Sequence, residues 1–241
     1  MNSGVEVRIQ SGDVTALVAP EYADAFNSGW FNPEFWQDKA TPVSVGGRGS
    51  AWFVEHGQNA WVLRHYRRGG LVARIVSSNY LYFGASRSRP FREFRVLSKL
   101  SSSGFPVPKP IGAIVNRAGL SYTGAIIIER FINARPLGDC LDSLDSQVWR
   151  EIGRSVRSFH DAGVYHADLN CFNVLLRGSE VFLIDFDKAR IFSGARNSSA
   201  AKWKIRNLER LKRSIYKVSV SDTNLNVEHG WAALLDAYNL F

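Results

Sequence analysis

Cysteine and long hydrophobic runs are both scarce in this chain, which has two cysteines among 241 residues. Cys140 and Cys171 lie far apart and lack the spacing of a metal or redox pair, so we expect reduced, buried thiols in a cytosolic protein. The apolar stretches, such as Ala125–Ile128, have the length of a strand, whereas a membrane-spanning helix needs about 18 apolar residues. Met1–Glu6 has neither the basic nor the apolar region of a signal peptide, and we expect none.

Acidic residues are also in the minority, with 22 Asp and Glu against 30 Lys and Arg, which gives a formal net charge of +8. A charge of this sign implies an anionic partner, which could be a nucleic acid, a phosphorylated substrate or an acidic membrane surface. Composition alone does not choose among the three. Because 45% of the residues are hydrophobic, the chain can build a packed core, which excludes a disordered protein.

The most informative pattern is an Asp and an Asn five positions apart, Asp168 and Asn173, directly before a predicted apolar strand, Val174–Leu176. A second apolar strand, Val181–Ile184, ends at Asp185. In a phosphotransferase with this layout, Asp168 accepts the proton of the attacking hydroxyl, while Asn173 and Asp185 hold the Mg²⁺ that bridges the phosphates of ATP. The alternative is two hairpins with acidic turn residues, because Asp and Asn favour turns.

Residues 41–66 predict three strands, Thr41–Val45, Ala51–Glu55 and Ala60–Tyr66. A glycine-rich segment joins the first two strands, and it includes Gly47 and Gly49. Glycine lets backbone N–H groups approach phosphates closely, so these two residues are candidates for binding ATP. A plain flexible hairpin is the alternative interpretation.

Arg64 occupies the strand position at which kinases place a lysine that reaches the α- and β-phosphates. A guanidinium can bind phosphate or carboxylate with two hydrogen bonds, so the replacement is chemically feasible. The predicted partner of Arg64 is Glu93, the only acidic residue of a helix predicted at Pro90–Leu100. An exposed strand arginine and a solvated glutamate are the alternatives.

Two further strands, Pro110–Val115 and Tyr122–Glu129, complete a predicted five-stranded antiparallel sheet. Glu129 then begins a segment whose backbone groups are candidates for contacting adenine. Helical periodicity follows at Ser146–Ala162 and at the basic segment Lys202–Lys217. The large helical region that protein kinases use to hold peptides is missing, so the expected acceptor is not a protein.

With these residues in view, the chain resembles the bacterial lipopolysaccharide kinases, a protein-kinase-like family, and within it the enzymes that phosphorylate 3-deoxy-D-manno-octulosonic acid (Kdo). The segments that carry the resemblance are 47–49, 62–70, 92–94, 104–110, 166–170, 185–190 and 203–214. The resemblance implies a two-lobed α+β fold. Residues 1–130 would form a small lobe with the five-stranded sheet and one helix, and residues 131–241 a reduced, mostly helical large lobe.

The resemblance further implies an ATP- and Mg²⁺-dependent kinase that phosphorylates the 4-hydroxyl of Kdo on a lipid A precursor. Such an enzyme would act as a peripheral protein on the cytoplasmic side of the inner membrane, and no nucleic-acid partner is expected. The alternatives are a heptose kinase of the same pathway and a catalytically inactive kinase-like adaptor. The adaptor is suggested by departures from the protein-kinase pattern at Ala167, Arg64 and Asp187. The oligomeric state is left open.

An anionic membrane surface is the second predicted partner, because the chain has two concentrations of basic residues. The predicted attraction is electrostatic, and basic residues next to an acidic leaflet contribute roughly 1 kcal/mol each. The residues are Arg64, Arg67, Arg68, Arg74, Arg87, Arg89, Arg92 and Arg95, together with the basic residues of the helix Lys202–Lys217. Some of these charges are expected to bind ATP or the acceptor instead of the membrane.

Overall fold

The structure is a computed structural model, and it describes residues 6–43, 50–66, 80–192, 198–219 and 224–240. The chain divides into two compact units. The first unit comprises Met1–Ser102 and Pro108–Ile132, and the second comprises Ser103–Val107 and Asn133–Phe241.

The first unit is built on one antiparallel sheet with the strand order β1-β2-β7-β8-β5-β4-β3, in which β6 also pairs with β8. One long helix, α1 (Arg89–Ser102), belongs to this unit, and short 3-10 turns occupy Pro20–Tyr22, Ser28–Phe31, Pro33–Lys39 and Ala85–Arg87. The strands are β1 (Val7–Ser11), β2 (Val14–Val18), β3 (Ala40–Pro42), β4 (Ala51–His56), β5 (Asn59–His65), β6 (Tyr80–Leu81), β7 (Pro110–Ala118) and β8 (Ser121–Glu129).

This sheet is larger than the sequence predicted, since the described residues contribute eight strands where five were expected. The five predicted strands are present, and the additions are β6 and the hairpin of β1 and β2. Gly12, with φ of +55°, allows the tight turn of that hairpin. Strand β1 lies at the sheet edge and none of its residues is fully buried, so it lacks the apolar pattern that would identify it.

Three tryptophans form the centre of the core on one face of the sheet. Trp30, Trp36 and Trp61 are 5% exposed or less, and the ring centroids of Trp30 and Trp36 lie 5.5 and 5.9 Å from that of Trp61. The indole nitrogen of Trp36 donates a hydrogen bond to the carbonyl oxygen of Trp30 at 2.8 Å. Because each aromatic ring buries a large apolar area, this cluster anchors the 3-10 segments to the sheet.

The second unit combines helices with two small sheets. One sheet has the order β12-β11-β9, and β10 pairs with β13 in the other. The elements are β9 (Arg135–Pro136), α2 (Ser146–Asp161), β10 (Val164–Tyr165), β11 (Val174–Arg177), β12 (Glu180–Leu183), β13 (Arg190–Ile191), α3 (Ser198–Val218) and α4 (Asn224–Asn239).

Helices α2 and α4 pack closely because each has a glycine at the contact. A Cβ placed on Gly153 would lie 2.2 Å from the carbonyl oxygen of Leu234, and one placed on Gly230 would lie 2.2 Å from the ring of Trp149. Larger side chains at either glycine would therefore push the helices apart. Asp145 caps the start of helix α2, because its side chain accepts a hydrogen bond from the Val148 amide at 2.9 Å. No helix in the described part of the chain is long and apolar enough to cross a bilayer.

Candidate active site

The predicted catalytic loop lies in the second unit, between β10 and β11, and its shape is fixed by side-chain amides. Asn173 donates from Nδ2 to the carbonyl oxygen of Asp168 at 2.9 Å. Asn170 accepts at Oδ1 from the amides of Phe172 and Asn173, at 2.9 and 3.2 Å. Because the loop uses the amide nitrogen of Asn173, the amide oxygen is the atom left to coordinate a cation.

Asp185 lies beside this loop, at the end of β12. The amide of Ile184 donates to the carbonyl oxygen of Asn173 at 3.0 Å, which brings the two predicted metal ligands together. Asp185 has a φ of +66°. This left-handed conformation costs a residue other than glycine about 1–3 kcal/mol, and such strain is concentrated at functional sites.

The two side chains offer oxygen donors, which is the ligand chemistry that Mg²⁺ prefers. The described residues contain no cluster of three or more His, Cys, Asp or Glu that could hold a metal by themselves. A nucleotide-bound Mg²⁺ requires fewer protein ligands, because phosphates and waters supply the rest of its coordination shell. Asn173 and Asp185 therefore fit a magnesium ion that arrives with ATP.

His166 connects the loop to the strand that precedes Asp185. Its side chain is buried, and Nε2 lies 2.9 Å from the carbonyl oxygen of Ile184. Burial lowers the pKa of His166 below its ordinary value, so the ring is neutral at pH 7. A neutral ring that donates from Nε2 to this carbonyl holds the loop and the segment before Asp185 in one arrangement.

Helix α3 holds the same loop from a third direction through three polar residues. The side chain of Asn207 donates to the carbonyl oxygen of His166 at 3.0 Å and accepts from its amide at 3.2 Å. Arg210 donates from Nε to Oδ1 of Asp168 at 2.9 Å, and Ser214 accepts at Oγ from the amide of Cys171 at 2.9 Å. Positions 207, 210 and 214 share one helical face, so the helix contacts the loop at successive points along it.

In the first unit, the predicted ion pair between Arg64 and Glu93 is present. Nη2 of Arg64 lies 2.6 and 2.5 Å from the two carboxylate oxygens of Glu93, whose side chain is fully buried. The hydroxyl of Tyr66 also donates to this carboxylate. Burial, followed by the charge of Glu93, raises the pKa of Tyr66 well above its usual value, so Tyr66 remains a donor. The pair fixes the direction of the Arg64 side chain from α1.

The other residues predicted to bind the nucleotide are Gly47, Gly49 and Glu129. Gly47 and Gly49 lie outside the described residues. Glu129 is the last residue of β8, and its amide donates to the carbonyl oxygen of Lys109 at 2.8 Å. That amide is therefore used by the sheet, and any adenine contact in this segment must involve other groups.

The model of the lipopolysaccharide kinase (Kdo/WaaP) family matches residues 33–238 of the sequence. The chain belongs to this family. Two relatives, both named 3-deoxy-D-manno-octulosonic acid kinase, illustrate the similarity. The protein of Stenotrophomonas maltophilia (strain K279a) is 44% identical over 214 residues, which cover 88% of this chain and 84% of the relative. The protein of Xanthomonas campestris pv. campestris (strain B100) is 42% identical over 216 residues, covering 89% and 85%.

A solved structure supports the same fold for this Kdo/WaaP family member. The structure of WaaP in complex with acyl carrier protein aligns with a TM-score of 0.56 and 15% sequence identity, over 92% of this chain and 88% of that one. The predicted family, kinase class and protein-kinase-like α+β fold are confirmed.

The sequence interpretation missed the role of α3 in this family member. It divided the basic residues of the helix between a membrane surface and the substrates, and it did not predict that Arg210 binds Asp168 or that Lys204 lies 3.0 Å from Asp161. One feature of the sequence could have indicated this role. Asn207, Arg210 and Ser214 recur at helical spacing, next to the apolar residues of the helix. Such spacing indicates that polar groups on the packed face have partners.

Proposed function

We propose that the chain is an ATP-dependent kinase that phosphorylates the 4-hydroxyl of the Kdo residue on a lipid A precursor. The observation that carries the proposal is the position of Asp168, Asn173 and Asp185 in one loop-and-strand arrangement, held by His166 and α3. The acceptor class is supported by the similarity to relatives that are 3-deoxy-D-manno-octulosonic acid kinases.

In the proposed reaction, the acceptor hydroxyl oxygen forms a bond to the γ-phosphorus of ATP. The bond between that phosphorus and the β–γ bridging oxygen breaks, ADP leaves, and Asp168 takes the hydroxyl proton. The amide oxygen of Asn173 and the carboxylate of Asp185 would hold Mg²⁺, which neutralises charge on the phosphates. The hydrogen bonds of Asn173 and Arg210 to Asp168 keep the base in place before the acceptor arrives.

For the nucleotide, we propose that residues 1–130 act as the small lobe and residues 131–241 as the catalytic lobe. Arg64 would contact the α- and β-phosphates, with Gly47 and Gly49 supplying backbone N–H groups. Glu93 would orient Arg64 through the pair described above. The segment that begins at Glu129 would contact adenine.

The test is phosphate transfer from ATP to purified lipid A precursors that end either in Kdo or in heptose attached to Kdo. Mass spectrometry and phosphorus NMR then identify the sugar and the hydroxyl that carry the new phosphate. We expect phosphate on the 4-hydroxyl of Kdo, transferred about 10²–10⁴-fold more slowly by the Asp168→Asn variant. Phosphate on heptose would replace the proposal with a heptose kinase, and absence of ATP turnover with every acceptor would support an inactive adaptor.

We also propose that the protein binds peripherally to the anionic cytoplasmic surface of the inner membrane. Three exposed apolar side chains at the end of the β7–β8 hairpin support this: Leu81, Phe83 and Leu120 are 62%, 69% and 83% exposed. Strand β6 and the hairpin are joined there by the hydrogen bond from the Tyr82 amide to the carbonyl oxygen of Leu120, at 2.9 Å. The guanidinium of Arg117 lies 5.0 Å from the ring centre of Tyr82, which adds positive charge beside this apolar tip.

The basic residues that the sequence assigned to the membrane divide into different groups. Arg64 pairs with Glu93 and Arg95 pairs with Glu6, so these two side chains are bound within the protein. Arg67, Arg68 and Arg74 lie outside the described residues, whereas Arg87 and Arg92 are exposed. The proposed surface therefore depends on fewer charges than the sequence suggested.

Cosedimentation with phosphatidylglycerol and phosphatidylcholine vesicles tests this surface. We expect binding to the anionic vesicles that declines as salt rises from 0.1 M to 1 M, because the Debye length falls from about 10 to about 3 Å. Leu120→Ser should weaken binding, whereas Ile205→Ser, a change at a 54% exposed apolar residue on α3, should not. Equal binding to both lipids, or no difference between the two variants, would contradict the proposal.

A further inference from the structure

Arg210 makes an unusual contact, since it binds the residue that the proposed reaction uses as its base. Its Nε lies 2.9 Å from Oδ1 of Asp168, and its Nη2 donates to the same oxygen. Both contacts therefore end on Oδ1, and the guanidinium leaves the other carboxylate oxygen, Oδ2, to receive a proton. The two side chains are 49% and 48% exposed, so both can be reached from solvent.

Fold stability does not explain this pair. Ion pairs at such exposure contribute little to the free energy of unfolding, because water and salt screen them. The attachment of α3 to the loop is already provided by the buried side chains of Asn207 and Leu211 and by the hydrogen bond of Ser214 to Cys171. The pair is therefore not needed to hold the helix in place.

The guanidinium also has capacity for another anion. Nη1 of Arg210 has no hydrogen-bond partner among the residues that the structure describes, whereas Nε and Nη2 are used by Asp168. The planar guanidinium is suited to carboxylates, because it presents several N–H groups in a fixed geometry. An anion bound at Nη1 would lie close to the Asp168 carboxylate, with only the guanidinium group of Arg210 between them.

We propose that Arg210 binds the sugar carboxylate of the acceptor while it holds Asp168 through Oδ1. This inference rests on the proposed function, in which the acceptor is a sugar acid. One residue then places the acceptor carboxylate and the base in a fixed relation, so the hydroxyl to be phosphorylated is presented to Oδ2. A neutral sugar such as heptose lacks the group that Arg210 binds, and Arg210 is thereby a specificity-determining residue.

The test combines a change in the protein with a change in the acceptor. The acceptor is a Kdo-bearing lipid A precursor, used as the free acid and as the carboxamide, which keeps the shape of the group and removes its charge. Phosphates elsewhere on the lipid are unchanged in the carboxamide, so a phosphate contact is separated from a carboxylate contact. Dissociation constants without ATP and initial rates with ATP are measured for wild type, Arg210→Ala and Arg210→Lys. Arg206→Ala is the matched control, since Arg206 is an exposed arginine of α3 whose Nε contacts the carbonyl oxygen of Lys202.

We expect wild type to bind the acid about 10- to 100-fold more tightly than the carboxamide, as is typical of one charge-assisted hydrogen-bonded contact. Arg210→Ala should lose that preference, with an unchanged KM for ATP, and Arg210→Lys should keep part of it. Arg206→Ala should behave like wild type. The unchanged KM for ATP shows that the variant is folded.

Two results would overturn the inference. One is a wild-type protein that binds the acid and the carboxamide equally, whether or not it transfers phosphate. The other is an Arg210→Ala variant that retains the preference for the acid and loses only kcat, which would restrict Arg210 to positioning the base. Failure of the proposed function is a separate observation, because it is seen as binding of the acid without transfer of phosphate to Kdo.

Discussion

Acid should destabilise the second unit through His160, a buried residue near the end of α2. Its Nδ1 lies 2.8 Å from the hydroxyl of Tyr238 on α4, and its ring centre lies 5.1 Å from that of Trp203 on α3. Burial lowers the pKa of His160 from 6.5 to about 4, and the positive charges of Lys204 and Arg157 act in the same direction. At pH values between about 4 and 6.5, His160 is therefore mostly neutral in the folded protein and mostly protonated in the unfolded chain.

The size of the effect follows from this difference in pKa. Between pH 6.5 and 4 the unfolded chain binds more protons at this position, so stability falls as the pH falls. Each unit of pKa difference corresponds to about 1.4 kcal/mol, so the drop from 6.5 to about 4 amounts to about 3 kcal/mol of unfolding free energy. A loss of that size is a large part of the roughly 5–15 kcal/mol by which domains are stable.

Urea unfolding of wild type and His160→Asn, at intervals from pH 7 to pH 4, measures this contribution. Asparagine can still form hydrogen bonds but does not titrate, so the variant should lose about 3 kcal/mol less stability than wild type over this range. His166, whose pKa burial also lowers, is present in both proteins and cancels from the difference. Identical pH dependence in the two proteins would refute the reasoning.

Three further predictions concern the two candidate sites. Asp168→Asn should reduce kcat by about 10²–10⁴-fold with little change in the KM for ATP, because proton transfer typically contributes that much; a variant with a tenth of wild-type kcat would remove Asp168 from the role of base. Asp185→Asn and Asn173→Ala should each raise the Mg²⁺ concentration needed for half-maximal activity, and unchanged magnesium titrations in both would locate the metal elsewhere. Arg64→Ala should lower the free energy of unfolding by about 3–5 kcal/mol, because the fully buried carboxylate of Glu93 loses its ion pair with Arg64. Urea unfolding should show a smaller loss in Arg64→Met combined with Glu93→Leu, and an equal loss would contradict this explanation.

The sequence predicted those contacts whose residues belong to a recognisable pattern within a short stretch of the chain. The spacing of Asp168 and Asn173 indicates a catalytic loop, and the apolar strand before Asp185 indicates a second element beside it. The pairing of Arg64 with Glu93 could be predicted because Arg64 occupies the strand position of the kinase lysine, and Glu93 is the only acidic residue of the predicted helix. Whether these residues bind ATP and Mg²⁺ stays a prediction.

The contacts that the sequence did not predict depend on residues that are distant along the chain. Helical periodicity identifies the apolar side of α3, but it does not show which partner the polar residues on that side meet. A count of charges does not show which basic residues face a membrane and which bind groups within the protein, so the contacts of Arg210 with Asp168 and of Lys204 with Asp161 could not be predicted. The β1–β2 hairpin was missed for a related reason. It joins the sheet by pairing with β7, about 100 residues further along the chain, and its own sequence does not show that pairing.

The attachment of the catalytic loop to α3 has a consequence for biosynthesis. The partners of His166 and Cys171 on that helix lie 41 and 43 positions further along the chain. At about 5–20 residues per second, the ribosome delivers these partners about 2–8 seconds after the loop itself. Once Asp185 has been added, the nascent polypeptide has its proposed base and metal ligands, but not yet the helix that holds the loop. A ribosome that stops before α3 therefore leaves the proposed catalytic loop without the helix that holds it.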